Sequence, residues 1–150
     1  MPFTIRVEGF AAGETIPKRH TCEGVDVSPA IDWSDVPEST KSFALIVDDP
    51  DAPGGTWNHW LVWDIPADRG GLTEGDRAGV SGTNDFGKPG YGGPCPPKGH
   101  GPHRYFFRLY AVDAKSLHLK PGARRDDLDR ALRTHKTVEA TYMGRYERKP

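Results

Sequence analysis

Phe43-Ala44-Leu45-Ile46-Val47 is an unbroken apolar run. After the turn-rich stretch Asp48-Asp49-Pro50-Asp51-Ala52-Pro53-Gly54-Gly55 the chain resumes with Trp60-Leu61-Val62-Trp63-Asp64-Ile65. Both runs are short, rich in β-branched and aromatic residues, and bounded by turn residues, which reads as two strands. Continuous apolar character, rather than alternation, marks strands buried on both faces or central in a sheet. The acidic turn between them makes a hairpin-like pair. The end of the first strand and the start of the second then lie at one edge of the sheet, which brings Asp49 and Asp51 near His59. Acidic residues gathered there need solvent, a cation or a hydrogen-bond donor, although Asp and Pro are also ordinary turn formers.

Working outward, three more strands are expected: Phe3 to Val7, Tyr105-Phe106-Phe107-Arg108-Leu109-Tyr110-Ala111-Val112, and Val138 to Tyr146. In the last, Val138, Ala140, Tyr142 and Gly144 alternate with Glu139, Thr141, Met143 and Arg145. That pattern belongs to a half-buried strand at the outside of a sheet. Only one segment has a helical period, with Leu128, Ala131, Leu132 and His135 recurring after Pro121-Gly122, so a short amphipathic helix is predicted over about 125–135. One helix among several strands with Pro- and Gly-rich turns indicates an all-β-dominated, antiparallel β-sandwich and not a βαβ fold.

Composition narrows the function classes. Eighteen glycines and 14 prolines in 150 residues are many, yet four Trp, five Tyr and six Phe supply a packed interior, and a single domain is expected at this length. Twenty Lys plus Arg against 21 Asp plus Glu leave a net charge of −1, with neither sign segregated, so binding of nucleic acid through bulk charge is excluded. The densest charged stretch, Arg124 to Arg130, has mixed signs and reads as a solvated helix face. No run of about 18 apolar residues is present to span a membrane. The segment Met1-Pro2-Phe3-Thr4-Ile5-Arg6-Val7 lacks the features of an export signal. With two cysteines, too few for a disulfide framework, a reduced and cytoplasmic setting is the expectation.

Glycine and proline concentrate between Gly79 and Pro102, where they fill 13 of 24 positions. A connection that long is usually either functional or disordered. Phe86, Tyr91, Cys95 and clustered prolines provide packing groups and stiffness, which favours order. The loop delivers the chain to His103, just before the aromatic strand. His59 and His103 thus each begin a strand after a Gly/Pro-rich loop. If those strands run in the same direction, the two histidines converge with Asp49 at one rim, as in a concave ligand pocket.

The motifs Asp49-Pro50-Asp51-Ala52-Pro53, His59-Trp60-Leu61-Val62 and Tyr91-Gly92-Gly93-Pro94-Cys95-Pro96-Pro97-Lys98-Gly99-His100-Gly101-Pro102-His103-Arg104-Tyr105 resemble the phosphatidylethanolamine-binding protein family, in its short bacterial and archaeal Raf-kinase-inhibitor-like branch. Matches at Thr21-Cys22-Glu23-Gly24, Val27-Ser28-Pro29 and Thr141 to Tyr146 carry the resemblance over nearly the whole chain. It implies a Greek-key β-sandwich with a small anion-binding pocket at one end of the large sheet. Its pocket residues map onto Asp49, Pro50, Ala52, His59, Gly93, Cys95, Pro97, His103 and Tyr105. The implied ligand is a phosphate-like anion or a phospholipid headgroup, with no cofactor, and members of the family modulate kinases, proteases or transcription complexes by binding. A protein partner and a homodimer stay open. Compared with longer eukaryotic relatives, the sequence ends at Pro150 without the extra helix that borders the pocket there, which implies less cover for acyl chains. Histidine N–H groups and glycine-loop amides suit phosphate oxygens, while Asp49 suits either a histidine or an ethanolamine ammonium.

The same residues admit rival readings. An ester or phosphoester hydrolase using the Asp/His pocket lacks a nucleophile in the matched motifs, and Gly79-Val80-Ser81-Gly82-Thr83 has Thr where a nucleophile elbow needs Gly. No enzyme activity is expected. A metal site from His20, Cys22, Cys95, His100 and His103 lacks zinc-type spacing. Cys22 and Cys95 read either as small, partly buried loop residues or as a disulfide. A protease or kinase inhibitor acting through its surface remains an alternative, with Trp33, Trp57, Trp60 and Trp63 as material for a dimer patch or, more simply, for the core.

Overall fold

The computed structural model describes residues 2–150. Two antiparallel sheets carry the chain. The smaller is ordered β1-β2-β5, from β1 (Thr4–Val7), β2 (Ile31–Ser34) and β5 (Gly71–Leu72). The larger is ordered β6-β4-β3-β7-β8, from β3 (Ser42–Asp49), β4 (Trp57–Pro66), β6 (Val80–Ser81), β7 (His103–Val112) and β8 (Lys136–Tyr146). One helix, α1 (Arg125–His135), precedes β8. The neighbours β3 and β7 are far apart in sequence, which is the non-sequential order of a Greek-key arrangement. The expected mainly antiparallel β-sandwich with one short helix is the observed architecture.

The unbroken apolar run of the opening stretch becomes the centre of the large sheet, and all eight positions of β3 are buried. Alternate residues serve two different cores. Phe43, Leu45 and Val47 join Trp60, Val62, Phe107 and the small sheet's Ile5, Val7, Ile31 and Trp33. Ala44 and Ile46 join Leu61, Trp63, Tyr110 and the helix residues Leu128 and Leu132. The large sheet is therefore covered by the small sheet on one face and by α1 on the other, which is why its central strands show no polar alternation. Each large apolar side chain so buried contributes roughly 1.5–3 kcal/mol over its exposed state.

Three strands escape the sequence reading. β2 alternates Ile31-Asp32-Trp33-Ser34 and is only four residues long, while β5 and β6 have two residues each and exist through their pairing with β2 and β4. β8 is the outer strand, as expected, but Val138 is 40% exposed because it lies at the strand's first turns, before Ala140, Gly144 and Tyr146 reach cover. The charged stretch Arg124 to Arg130, which forms the N-cap and first turns of α1, differs from the expectation at one residue. Arg125 does not belong to a solvated face: its Nη1 reaches Asp48 Oδ2 at 2.9 Å and Asn58 Oδ1 at 2.8 Å on the sheet.

Candidate functional site

β3 is antiparallel to both β4 and β7, so β4 and β7 run the same way and both start where β3 ends. The condition for convergence is met. Asp49 at the end of β3, His59 near the start of β4, and His103 and Tyr105 at the start of β7 all line one cavity of about 180 Å³.

Face-by-face alternation explains three of these four. Asp49, His103 and Tyr105 share the face of Val47 and Phe107, the one that packs on the small sheet. His59 does not follow from alternation, because a two-residue period counted from Trp60 and Val62 would send it to the helix side with Leu61 and Trp63. The ladder is irregular there. Val47 pairs with Trp60 but Asp48 pairs with Asn58, which leaves His59 as an extra residue on β4. Such a bulge re-aims a side chain. His59 consequently packs edge-on against Tyr105, with ring centroids 5.2 Å apart.

Each polar group has a defined partner or a conspicuous lack of one. His103 Nδ1 donates to Asp49 Oδ2 at 2.7 Å, and the Asp51 backbone N–H donates to Asp49 Oδ1 at 2.7 Å. Both oxygens of Asp49 are therefore engaged in orienting a histidine and the 50–53 turn. His59 Nδ1 donates to the Gly92 carbonyl at 2.8 Å, which leaves Nε2 without a partner among the described residues. Burial pushes this imidazole below its ordinary range, with the Gly92 carbonyl opposing. Tyr105 is 1% exposed, yet its hydroxyl makes no well-formed hydrogen bond among the described residues, although the Asp49 carboxylate stands close enough to act on it. Burial raises the phenol well above its ordinary value, so it stays protonated and able to donate.

The walls come from the two special loops. Ala52, Pro53, Trp57, Phe86, Cys95, Pro96 and Pro97 complete the lining, and the exposed rings of Trp57 and Phe86 meet edge to face at 5.5 Å. Arg104 fastens the first loop to β7 by a two-pronged contact with Asp51, at 2.9 and 2.8 Å. These hydrogen bonds hold the Asp51 carboxyl down at about 2. The long loop is ordered by named partners: the Tyr91 hydroxyl donates to the His20 carbonyl, the Cys22 N–H to the Pro94 carbonyl, and Arg148 Nε to the Pro96 carbonyl. The Gly93 N–H donates to Asp26 Oδ1, and a Cβ at Gly93 would collide with the His20 carbonyl oxygen. Glycine is required by that close approach.

Of the nine residues singled out, Asp49, Ala52, His59, Cys95, Pro97, His103 and Tyr105 line the cavity. Pro50 and Gly93 stand behind it, and the amides of Gly92 and Gly93 are spent on the His59 carbonyl and Asp26. The glycine loop thus positions His59 rather than offering these amides to an anion. Trp57, Phe86, Pro53 and Pro96 were not among the nine. Trp57 is the one whose position was readable, since it opens β4 two residues before His59.

Cys22 and Cys95 form a disulfide with Cα atoms 5.4 Å apart, resolving the earlier alternative. It staples the cavity wall to the 21–24 segment across a separation of 73 residues, a closure worth about 4 kcal/mol in the chain-entropy account. No helix among the described residues is long and apolar enough to cross a membrane. Among the same residues no group of three or more His, Cys, Asp or Glu is placed to hold a metal ion.

The molecule is thus a sandwich with a small cavity, lined by histidine and tyrosine, at the rim of its large sheet. Comparison with known proteins names it. The family model described as phosphatidylethanolamine-binding protein matches residues 7–147. The UPF0098 protein of Aquifex aeolicus is 52% identical over 145 residues, covering 93% of this chain and 85% of the relative. Its counterpart in Pyrococcus abyssi is 44% identical over 148 residues, covering 93% and 83%. Among solved structures, a phosphatidylethanolamine-binding protein homologue from Chlamydia trachomatis superposes with a TM-score of 0.92 at 38% identity, covering 98% of each chain. YbcL of E. coli, described as a new member of the mammalian family, gives 0.91 at 37%, covering 98% and 99%. The chain belongs to the phosphatidylethanolamine-binding protein family, alongside bacterial and archaeal relatives.

Proposed function

We propose that this protein binds a small phosphate-like anion, free or as a phospholipid headgroup, in the cavity at the rim of the large sheet, and that it acts on a partner through binding and not through turnover. The observation that carries the reading is the unpartnered Tyr105 hydroxyl, which lines the same small cavity as His59 and His103. A buried hydroxyl without a partner costs free energy until an acceptor arrives. A tetrahedral anion offers several acceptor oxygens to Tyr105 and, once it is protonated, to His59 Nε2. The apolar walls suit the methylene or aromatic group that carries the anion. The relatives' descriptions as phosphatidylethanolamine-binding homologues support the same ligand class.

Titration calorimetry tests it with inorganic phosphate, phosphoethanolamine and phosphatidylethanolamine vesicles as separate arms. Tyr105→Phe is expected to weaken binding of the soluble anions about tenfold, the scale of one hydrogen bond to a charged acceptor. Binding by vesicles alone would assign the site to a membrane headgroup. No heat with any of the three would overturn the reading.

A further inference from the structure

Both ring nitrogens of His103 are occupied. Asp49 holds Nδ1, and Nε2 lies 2.6 Å from Nδ1 of His100, with the rings edge to face at 4.9 Å between centroids. A contact of that kind holds one proton between a donor and a lone pair. The two partners differ in setting. His103 is buried in the sheet, whereas His100 is exposed on the turn between Pro97 and Pro102, where Gly99 and Gly101 take φ values of +74° and +86°. The turn backbone is anchored, with the Gly99 N–H on the Arg148 carbonyl and the His100 N–H on the Pro97 carbonyl, so the exposed His100 side chain is the part free to move aside.

We propose that His100, which does not itself line the cavity but is bonded to His103, which does, determines its specificity: the His100 imidazole occupies the hydrogen-bonding position on His103 that an anion oxygen requires, and a ligand enters by displacing it. This rests on the reading of the cavity as an anion site. Asp49 fixes Nδ1, so Nε2 is the one atom of His103 left for a ligand. A ligand oxygen must compete there with an imidazole tethered three residues away, which is present at high effective concentration. With Nδ1 donating to Asp49, Nε2 donates to a ligand oxygen only from the doubly protonated ring, so the ligand must bring or take up one proton. A phosphate oxygen then wins because a hydrogen bond from an imidazolium to an anion is charge-assisted and about twice as strong as a neutral one. A neutral amide or hydroxyl oxygen exchanges like for like and gains nothing. His100 therefore sets a threshold that selects for charge.

The test compares wild type with His100→Ala, an exposed substitution chosen to leave the fold intact, using inorganic phosphate and acetamide as the charged and neutral probes. His100→Ala is expected to tighten phosphate about fivefold to tenfold, the scale of one removed competing hydrogen bond, and to gain a response to acetamide that wild type lacks. In the ligand-free protein the ¹⁵N resonance of His103 Nε2 should shift in the variant while Nδ1 does not. If wild type binds phosphate and the variant binds equally or more weakly, the displacement idea is overturned and the anion site stands. If neither binds phosphate, the anion site itself is what fails.

Discussion

Asp48 and Asp49 are neighbours at the end of β3, nearly equally buried at 2% and 3% exposed, and they face opposite sides of the large sheet. On the helix side Asp48 meets two guanidiniums, from Arg108 at 3.1 Å and Arg125 at 2.9 Å. On the other side Asp49 meets an imidazole and a backbone amide. The difference lies in what each carboxylate is paired with. Arginine is charged at every working pH, so the Asp48 cluster is a permanent strut that ties α1 to β3 and β7 of the large sheet. Asp49 is held instead by an imidazole and a backbone amide, so on that side the carboxylate orients a ring and a turn at the rim of the cavity.

The largest effect that could break this contrast is on stability. Asp48→Ala leaves two arginines facing each other without their shared anion and is expected to cost about 2–3 kcal/mol in urea unfolding. That is near the low end for a broken buried pair, because both guanidiniums keep about a quarter of their surface in water. Phosphate affinity should stay within about twofold of wild type, since Asp48 lies on the far face of the sheet. Asp49→Asn should do the reverse: about 1 kcal/mol of stability, but about tenfold weaker phosphate binding, because the His103 ring loses the carboxylate that orients it. Equal destabilisation by the two variants with phosphate affinity untouched in both would erase the distinction.

The smallest effects are in pH dependence, and their signs differ. Burial lowers the His59 pKa, so the folded protein holds fewer protons than the unfolded chain between that lowered value and about 6.5. Stability due to this group is complete above about 6.5 and falls as pH drops through the window, and His59→Gln should flatten that part of the curve. Asp51, held at about 2 by Arg104, contributes above its ordinary value of 3.8 and loses that contribution as pH falls from 3.8 to about 2. Anion binding should run the other way from stability, strengthening at about pH 5.5 and weakening at about pH 8, because His59 Nε2 must take a proton to donate. Sulfate is the probe of choice, since its own charge does not change across that range, and equal sulfate affinity at the two pH values would contradict this account.

Much of this was legible in the chain. The apolar runs of β3, β4 and β7 and the period of α1 follow from local pattern, because a strand covered on both faces must be apolar at every position. The meeting of Asp49 and His103 at the rim where β4 also begins needed only the extra fact that β4 and β7 run the same way. The orientation of His59 was not legible, since one extra residue in a ladder reverses which face a side chain takes. Nor were the short β5 and β6, which have too few residues for a pattern and exist only through their partners.

The residues by themselves determined the class of fold, the family, and the list of groups that could meet a ligand, because burial periodicity and motif spacing are local properties of a chain. Tertiary structure alone decided how those groups are used. It spent the Gly92 and Gly93 amides inside the protein, left the Tyr105 hydroxyl without a partner, set His100 against His103, joined Cys22 to Cys95, and turned Arg125 from solvent toward Asp48. Each of these depends on a contact whose nearest neighbour in space is fixed by register and loop path, and neither is a property of any short stretch of sequence.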